Sequence, residues 1–151
     1  MIREATIDDI SALVRMGEGF HAEALADKGL GFKVPDFIQH CVMLMELPLT
    51  ALFVAEGEDG ALVGSIAGML SAWILSFDQV MITEQWWWVD KDKRGGKIAL
   101  ELEEALLNWG KERGATKISM IAIASEREKS VRRYYERKGH KYLETHFIKE
   151  I

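Results

Sequence analysis

A charged, glycine-containing turn precedes the strongest helical pattern in the sequence. Residues 94–97, Arg-Gly-Gly-Lys, separate an aromatic segment that ends at Val89 from an amphipathic run that extends to residue 113. The first turn of a helix presents unpaired backbone N–H groups and the positive end of the helix dipole, and both attract phosphate oxygens. Glycine lets a ligand approach the backbone closely because it has no Cβ atom. The turn is therefore a candidate diphosphate site, but such turns are also common without a ligand.

Two adjacent tyrosines form the second candidate for chemistry. Tyr134 and Tyr135 lie late in a helical segment that ends ahead of Gly139. One interpretation is amphipathic packing, with one ring half-buried. The other is a phenol directed into a cleft, where it donates a proton during catalysis. The residues alone favour packing.

Other patterns of catalytic or metal-binding residues are missing. The G-x-x-x-x-G-K-[ST] loop is absent, since Ile98 follows the lysine, and G-x-G-x-x-G is absent as well. The four histidines have no metal-ligand spacing, and we expect no metal. Cys41 is interpreted as a small buried apolar residue rather than a nucleophile, and Ser125 as a helix N-cap.

The elements that must position these residues follow the order β-α-α-β-β-β-α-β-α-β. Hydrophobic periodicity and turn signals predict strands at 2–6, within 50–70 (two), at 80–90, 116–124 and 141–151, and helices at 8–24, 36–47, 97–113 and 126–138. The predicted fold is α/β (α+β), with about four helices on a mixed, mostly antiparallel central sheet of six to seven strands. Segment 84–124 should contain a parallel strand pair.

Several local signals fix the ends of these elements. Asp59-Gly60 predicts a hairpin, and Gly114 and Gly139 predict helix ends. Ser125 and Glu128 predict a capping box for the last helix. The three tryptophans at 86–88 should alternate between the two faces of one strand, so that Trp87 points opposite to its neighbours.

Composition limits the classes of protein that the chain can represent. Its 151 residues are enough for a single domain with a real core, and its formal net charge of −5 argues against a general nucleic-acid binder. The uncharged segment 61–77 is too short and too rich in Gly and Ser for a membrane span, and a buried strand is expected there. With one cysteine and no visible signal peptide, we expect a cytoplasmic protein.

Three segments together resemble a known family. "WWVDKDKRGGKIALELEEAL" is similar to the acetyl-CoA-binding segment of the GNAT superfamily of N-acetyltransferases, in which a strand and a V-x-P-x-x-R-G-x-G-x-G/A pattern precede a long helix. "VRRYYERKGHKYLE" resembles the later Tyr-Glu-x-x-Gly-Phe signature, and "IREATIDDISALV" resembles the usual opening. The resemblance covers essentially the whole chain, 1–151. It implies a GNAT-like fold and a single N-acetyltransferase domain.

The resemblance implies that acetyl-CoA is the cosubstrate and that its diphosphate lies on backbone N–H groups of the turn. Pantetheine would lie between two splayed strands, and the Val89 N–H would donate to the thioester carbonyl. Lys97 replaces the usual middle glycine and must therefore avoid a positive φ. The implied cofactor-binding residues are Trp87, Val89, Arg94, Gly95, Gly96, Lys97, Ile98 and Ala99.

The resemblance also implies a direct transfer in a ternary complex. Tyr135 matches the tyrosine of the family and would protonate the departing thiolate, with Tyr134 as the alternative if the alignment is shifted by one residue. An alkylammonium acceptor, with a pKa of about 10.4, must first lose a proton. Glu84 is the candidate base, and a solvated strand-end charge is an equally supported interpretation. His140, where the family has Phe, is interpreted as packing, and Glu128 replaces an asparagine.

Three functions compete at this point. The first is an acetyl-CoA-dependent N-acetyltransferase for a primary amine of a small molecule or protein, gripped by the first two helices and the 70–80 loop. The second is a non-catalytic acyl-CoA-binding or regulatory module. The third, disfavoured by the acidic charge, is a nucleic-acid-associated protein, for instance one that acetylates a charged tRNA. A homodimer is a further expectation from the family.

Overall fold

The computed structural model describes all 151 residues. The chain forms four α-helices and five β-strands. The helices are α1 (Ile10–Ala24), α2 (Val34–Glu46), α3 (Ile98–Glu112) and α4 (Glu128–Arg137). The strands are β1 (Ile2–Glu4), β2 (Thr50–Glu56), β3 (Leu62–Trp73), β4 (Ser76–Val89) and β5 (Lys117–Ser119). Short 3-10 turns lie at Ile7–Asp9, Ala26–Lys28 and Lys91–Lys93.

The five strands form one mixed sheet in the order β1-β2-β3-β4-β5. The first four strands pair antiparallel, and Gly60, at φ +80°, lies in the turn of the predicted β2–β3 hairpin. β4 and β5 pair in parallel from Met81 opposite Lys117 to Thr83 opposite Ser119. The mostly antiparallel sheet and the parallel pair on either side of α3 are thus confirmed.

The sheet has five strands, so the prediction of six to seven was wrong. Residues 141–151 alternate as a strand would, but they form no regular structure and are exposed. β5 also ends at Ser119 instead of continuing to residue 124. A strand needs a partner for its backbone groups. β4 bonds to β5 over only three residues, and no strand pairs with the outer edge of β5.

The core lies in two layers, one on each face of the sheet. α3 covers one face with its predicted apolar stripe, of which Leu102, Leu106 and Trp109 are buried. α1 and α2 cover the other face, with Cys41 and Leu44 buried as expected. Burial of this apolar surface is the main stabilising term of such a domain. The central strands are covered on both sides, so residues of β4 can point into either layer.

The tryptophans of β4 divide between the two layers as predicted. Trp86 packs edge-on against Phe20 of α1 and Phe37 of α2. Trp87 faces the opposite layer and packs against α4. The alternation follows from the two-residue period of a strand.

The helix ends agree with the sequence at two glycines and disagree at one cap. Gly114 (φ +84°) and Gly139 (φ +86°) lie two residues beyond the last residues of α3 and α4, directly after the C-caps Arg113 and Lys138. The capping box predicted for α4 is wrong. Its helix begins only at Glu128, while the Ser125 hydroxyl accepts a hydrogen bond from the Arg127 N–H at 3.3 Å. Ser125 therefore stabilises a turn ahead of the helix.

The uncharged segment 61–77 forms β3 and the start of β4, as the sequence indicated. Separately, none of the four helices combines the length and the apolar character needed to cross a membrane.

Candidate active site

A cleft of about 530 Å³ opens where β4 and β5 part. Pairing between the two strands stops at Ser119, while β4 continues to Val89. The start of α3 and one side of α4 form the other walls, and residues of α1 complete the mouth. The cleft thus joins the predicted phosphate turn to the predicted catalytic tyrosine.

Glu84 and Tyr135 meet at the buried end of the cleft. The Tyr135 hydroxyl is 3.4 Å from Glu84 Oε2 and donates to the Ile121 carbonyl at 3.1 Å. Glu84 Oε2 also accepts the Ile121 N–H at 2.9 Å. Beyond Ser119 the backbone of β4 no longer pairs with this segment, and the Glu84 carboxylate accepts the Ile121 N–H instead.

The interpretation of Glu84 as a solvated charge was wrong, because only 5% of the residue is exposed. Burial raises the pKa of its carboxyl to about 7, helped by the charge of Glu103, while hydrogen bonds from Ile121 and Tyr135 oppose the rise. Burial, together with the nearby charges of Glu84 and Glu103, also raises the pKa of the Tyr135 phenol. At neutral pH the phenol keeps its proton, while Glu84 can exchange one.

Trp87 forms the aromatic wall of this site. Its ring stacks on Tyr135 with centroids 6.2 Å apart and lies 5.7 Å from the ring of Tyr134. Its indole Nε1–H is buried and has no hydrogen-bond partner in the protein. A buried donor without an acceptor is rare in proteins. Its presence beside the cleft fits a site in which a ligand supplies an acceptor.

Val89, the last residue of β4, presents its backbone on the cleft side. Asp90 N–H donates to Val63 O at 2.8 Å, so these two residues form a hydrogen-bonded pair of the antiparallel ladder. Because such pairs alternate with non-hydrogen-bonded ones, the N–H and C=O of Val89, which lies opposite Gly64, point away from β3. Val89 O accepts a hydrogen bond from Arg94 Nε at 2.7 Å. The free edge of β4 can therefore pair with an extended ligand, and the Val89 N–H is one of its donors.

The turn ahead of α3 has the geometry of an anion site. Gly95 has a φ of +84°, which glycine adopts readily, and Lys97 has the negative φ that a side chain requires, −80°. The N–H groups from Gly96 to Leu100, which include those of Ile98 and Ala99, have no hydrogen-bond partner in the protein. A Cβ atom at Gly96 would have no heavy atom closer than 3.8 Å. The residues present thus fit a diphosphate.

The two cations of the turn are already paired with carboxylates. Arg94 donates to Glu23 of α1 at 2.9 Å and stacks over the ring of Trp88 at 4.6 Å. Lys97 pairs with Glu101 at 3.1 Å on the surface. The part of the turn that is free to meet an anion is therefore its N–H groups, while Arg94 ties the turn to α1.

Two functional candidates, Glu23 and Glu103, were not predicted from the sequence. Glu23 also approaches Lys91 and Arg127, at 3.6 and 3.8 Å, so one carboxylate collects cations from two sides of the cleft. Glu103 is only 2% exposed, although its acidic neighbours on α3 are the half-buried Glu101 and the exposed Glu104. Its position directly after Leu102, on the flank of the apolar stripe, was the only signal of its burial.

The remaining candidates have plain structural roles. Cys41 is buried, and burial raises the pKa of its thiol to about 11, so it stays protonated. His140 is half-buried, with its ring 5.2 Å from that of Tyr135. Glu128 pairs with Arg132 at 2.9 Å. No group of three His, Cys, Asp or Glu side chains is arranged to hold a metal ion.

Comparison with known proteins agrees with this geometry. The model of the acetyltransferase (GNAT) family matches residues 21–140. No curated protein matches the sequence significantly.

Solved structures share the fold over almost their whole length. A predicted acetyltransferase from Clostridium acetobutylicum, solved with acetyl-CoA, has a TM-score of 0.74 and 19% identity, and the match covers 99% of this chain and 95% of that one. An aminoglycoside acetyltransferase from an uncultured soil metagenomic sample has a TM-score of 0.74 and 19% identity, and the match covers 100% of this chain and 97% of that one. A ribosomal-protein-alanine N-acetyltransferase from Brucella melitensis biovar Abortus 2308 has a TM-score of 0.72 and 16% identity, and the match covers 100% of this chain and 99% of that one.

Proposed function

The chain belongs to the GNAT acetyltransferase family, and from that premise we propose that it transfers an acetyl group from acetyl-CoA to a primary amine. The observation that carries the proposal is the contact of Glu84 with Tyr135 inside a cleft that begins at the unpaired N–H groups of α3. A base, an acid and an anion site thereby share one cavity. The acceptor is an amine of a small molecule or a protein.

The turn and the edge of β4 are proposed to bind acetyl-CoA. The N–H groups from Gly96 to Leu100 hold the diphosphate, and the helix dipole of α3 favours its charge. The pantetheine arm lies along β4 beside Trp87 and Val89, in the gap left by β5. The length of β4 beyond its pairing with β5 sets how far the thioester reaches into the cleft.

The chemical step is proposed to need no acyl-enzyme. Glu84 accepts a proton from the ammonium, directly or through water, and the amine nitrogen attacks the thioester carbonyl. The Val89 N–H stabilises the oxyanion that develops. The C–N bond forms, the C–S bond breaks, and Tyr135 gives its proton to the thiolate. The second proton of the attacking nitrogen returns to the phenolate through water, and the proton on Glu84 leaves to solvent. The raised pKa of Tyr135 keeps the phenol protonated at neutral pH before the thioester opens.

The acceptor is proposed to enter along α1. Phe20, Glu23 and Ala24 line the cleft from that side. The aminoglycoside and ribosomal-protein acetyltransferases with the same fold act on very different amines, so the acceptor is left at the level of a primary amine.

One observation favours a non-catalytic acyl-CoA-binding module as the second candidate. The Tyr135 hydroxyl already donates to the Ile121 carbonyl, and only 7% of Tyr135 is exposed. A proton held in this way must be released from Ile121 before it can reach a thiolate.

Thermal unfolding with coenzyme A and acetyl-CoA, followed by a thiol-release assay on an amine panel, tests both. Ligand at about 100-fold over its Kd adds roughly 2.7 kcal/mol of stability. Stabilisation by acetyl-CoA together with amine-dependent thiol release supports the enzyme. Stabilisation without release from any amine supports the binding module. No stabilisation of a folded sample contradicts both.

A further inference from the structure

Glu103 is a buried carboxylate that the proposed reaction does not use. It lies on α3, one helical turn beyond the cofactor residue Ala99, and its side chain is 3% exposed. Burying a carboxylate costs free energy unless hydrogen bonds compensate it. Such a residue in a helix that otherwise buries apolar side chains calls for a specific partner.

Two partners surround this carboxylate, and both come from the end of the chain that carries Tyr135. The Tyr134 hydroxyl donates to Glu103 Oε2. His140 Nε2 lies 3.4 Å from Glu103 Oε1. The Glu103 carboxylate therefore contacts Tyr134 within α4 and His140 just beyond the end of that helix.

The ring of Tyr135 is adjacent to both of these partners. Its ring centroid is 5.8 Å from that of Tyr134 and 5.2 Å from that of His140. α4 is a short helix with few backbone neighbours in other elements, so side-chain bonds largely set its position. Trp87 supports the tyrosines from β4 but offers them only ring contacts.

We propose that Glu103 is a positioning residue that holds the Tyr135 phenol at the reacting thioester by fixing the adjacent side chains of Tyr134 and His140. This inference rests on the proposed acetyl transfer for its kinetic consequence, but its structural part is independent of any reaction. The groups that face Glu103 are Tyr134 and Tyr135 of α4, His140 beyond it, and Glu84 of β4.

The kinetic test compares E103Q, E103L and Y134F. The glutamine retains an oxygen that accepts the Tyr134 hydroxyl, whereas leucine and phenylalanine break the bond from either side. A displaced proton donor costs roughly 10- to 100-fold in rate. We expect that loss of kcat in E103L and Y134F, a smaller one in E103Q, and KM for acetyl-CoA within about twofold of wild type.

The pH profile adds a readout that a merely structural tie would not move. The charge of Glu103 helps burial raise the pKa of Glu84. In E103Q that charge is gone, so the acidic limb of kcat should move to lower pH. An unchanged limb together with unchanged kcat in all three variants would overturn the proposal.

A measurement without turnover separates this proposal from the proposed function. The chain has three tyrosines, so labelling with 3-fluorotyrosine gives three fluorine resonances, which Y134F and Y142F assign. In E103L we expect the resonances of Tyr134 and Tyr135 to shift while that of Tyr142, exposed at 68%, stays. A Tyr135 resonance identical to wild type contradicts the positioning role. A shift in a protein that releases no thiol confirms the positioning and rejects the reaction.

Discussion

The carboxylate of Glu84 and the phenol of Tyr135 lie 3.4 Å apart although 51 residues separate them in the sequence. β4 brings the first and α4 the second, and both bond to Ile121 where the two parallel strands part. The opening of the sheet therefore creates the cleft and collects its two titratable side chains. The Glu84–Tyr135 pair is the part of the site from which function can be tested most directly.

The activity should depend on the ionisation of Glu84. Its pKa of about 7 predicts a rate that rises with pH through neutrality, because only the carboxylate accepts a proton. Glu84→Gln keeps the size of the side chain and should lower kcat by roughly 10²- to 10⁴-fold. The check is a pH profile of thiol release at saturating substrates for wild type and variant. A wild-type limb well below pH 6, or an E84Q enzyme of full activity, would count against Glu84 as the base.

Glu84 should also leave a signature in the stability of the protein. Its pKa in the folded state is raised from 4.5 to about 7, so the folded protein binds the proton more tightly than the unfolded chain. This group therefore favours the fold less and less as pH rises from about 4.5 to about 7, on the order of 3 kcal/mol in total. Urea unfolding of wild type minus E84Q should show that decline. A flat difference would mean that the carboxyl is not desolvated.

Removal of the Tyr135 hydroxyl should separate chemistry from binding. Tyr135→Phe keeps the ring that stacks on Trp87 but removes the acid. We expect kcat to fall by roughly 10²-fold or more while KM for acetyl-CoA hardly changes. Tyr142→Phe, at an exposed position, is the matched control and should be silent. An active Y135F enzyme would assign the proton to another donor, and Tyr134 would be tested next.

The phosphate turn can be blocked without disturbing the fold. A Cβ at Gly96 meets no close atom, so Gly96→Glu should fold normally while its charge repels a diphosphate. Stabilisation by coenzyme A in thermal unfolding should disappear. Gly31→Glu is the control. It adds the same charge at a position where a Cβ also meets no close atom, and Gly31 does not line the cleft. Equal loss of stabilisation in both variants would point to a general charge effect instead.

The parts of the fold that the sequence predicted rest on local signals. The apolar stripe that ends at Trp109, the positive φ of Gly114 and the alternation around Trp87 each depend on residues close together in the chain. The resemblance to a family brought the turn at Gly95 and Tyr135 into one site, which spacing alone left open. Of these residues, Trp87, Gly95 and Tyr135 line the cleft in the structure.

The parts that the sequence missed depend on distant partners. Glu23 bonds to Arg94, 71 residues away in the sequence, and Glu103 bonds to Tyr134, 31 residues away. The residues that flank each glutamate in the sequence therefore do not indicate its partner. The strand predicted at 141–151 failed for a related reason. Alternation shows that a segment can form a strand, but only a neighbouring edge can complete its hydrogen bonds.

Arg94 should serve the phosphate turn through its bond to Glu23. Because its guanidinium is bonded to Glu23 and Val89 O, the structure predicts that Arg94 acts by holding the turn in place. Arg94→Ala and Glu23→Ala should then both weaken binding of coenzyme A, since either one releases the turn. In a double-mutant cycle of unfolding free energies the pair should show a coupling of about 1 kcal/mol or more. Lys97→Ala removes the same charge from an exposed side chain and should change stability little.

The opposite result for Glu23 would identify a different role. If the Arg94 guanidinium instead swings to the diphosphate when the ligand binds, Glu23 competes with the ligand for it. Glu23→Ala would then tighten binding of coenzyme A, while Arg94→Ala would still weaken it. Titration of the two variants with coenzyme A at two salt concentrations decides between these cases. Only a direct guanidinium–phosphate pair adds a salt-dependent contribution that Arg94→Ala removes and Glu23→Ala leaves in place.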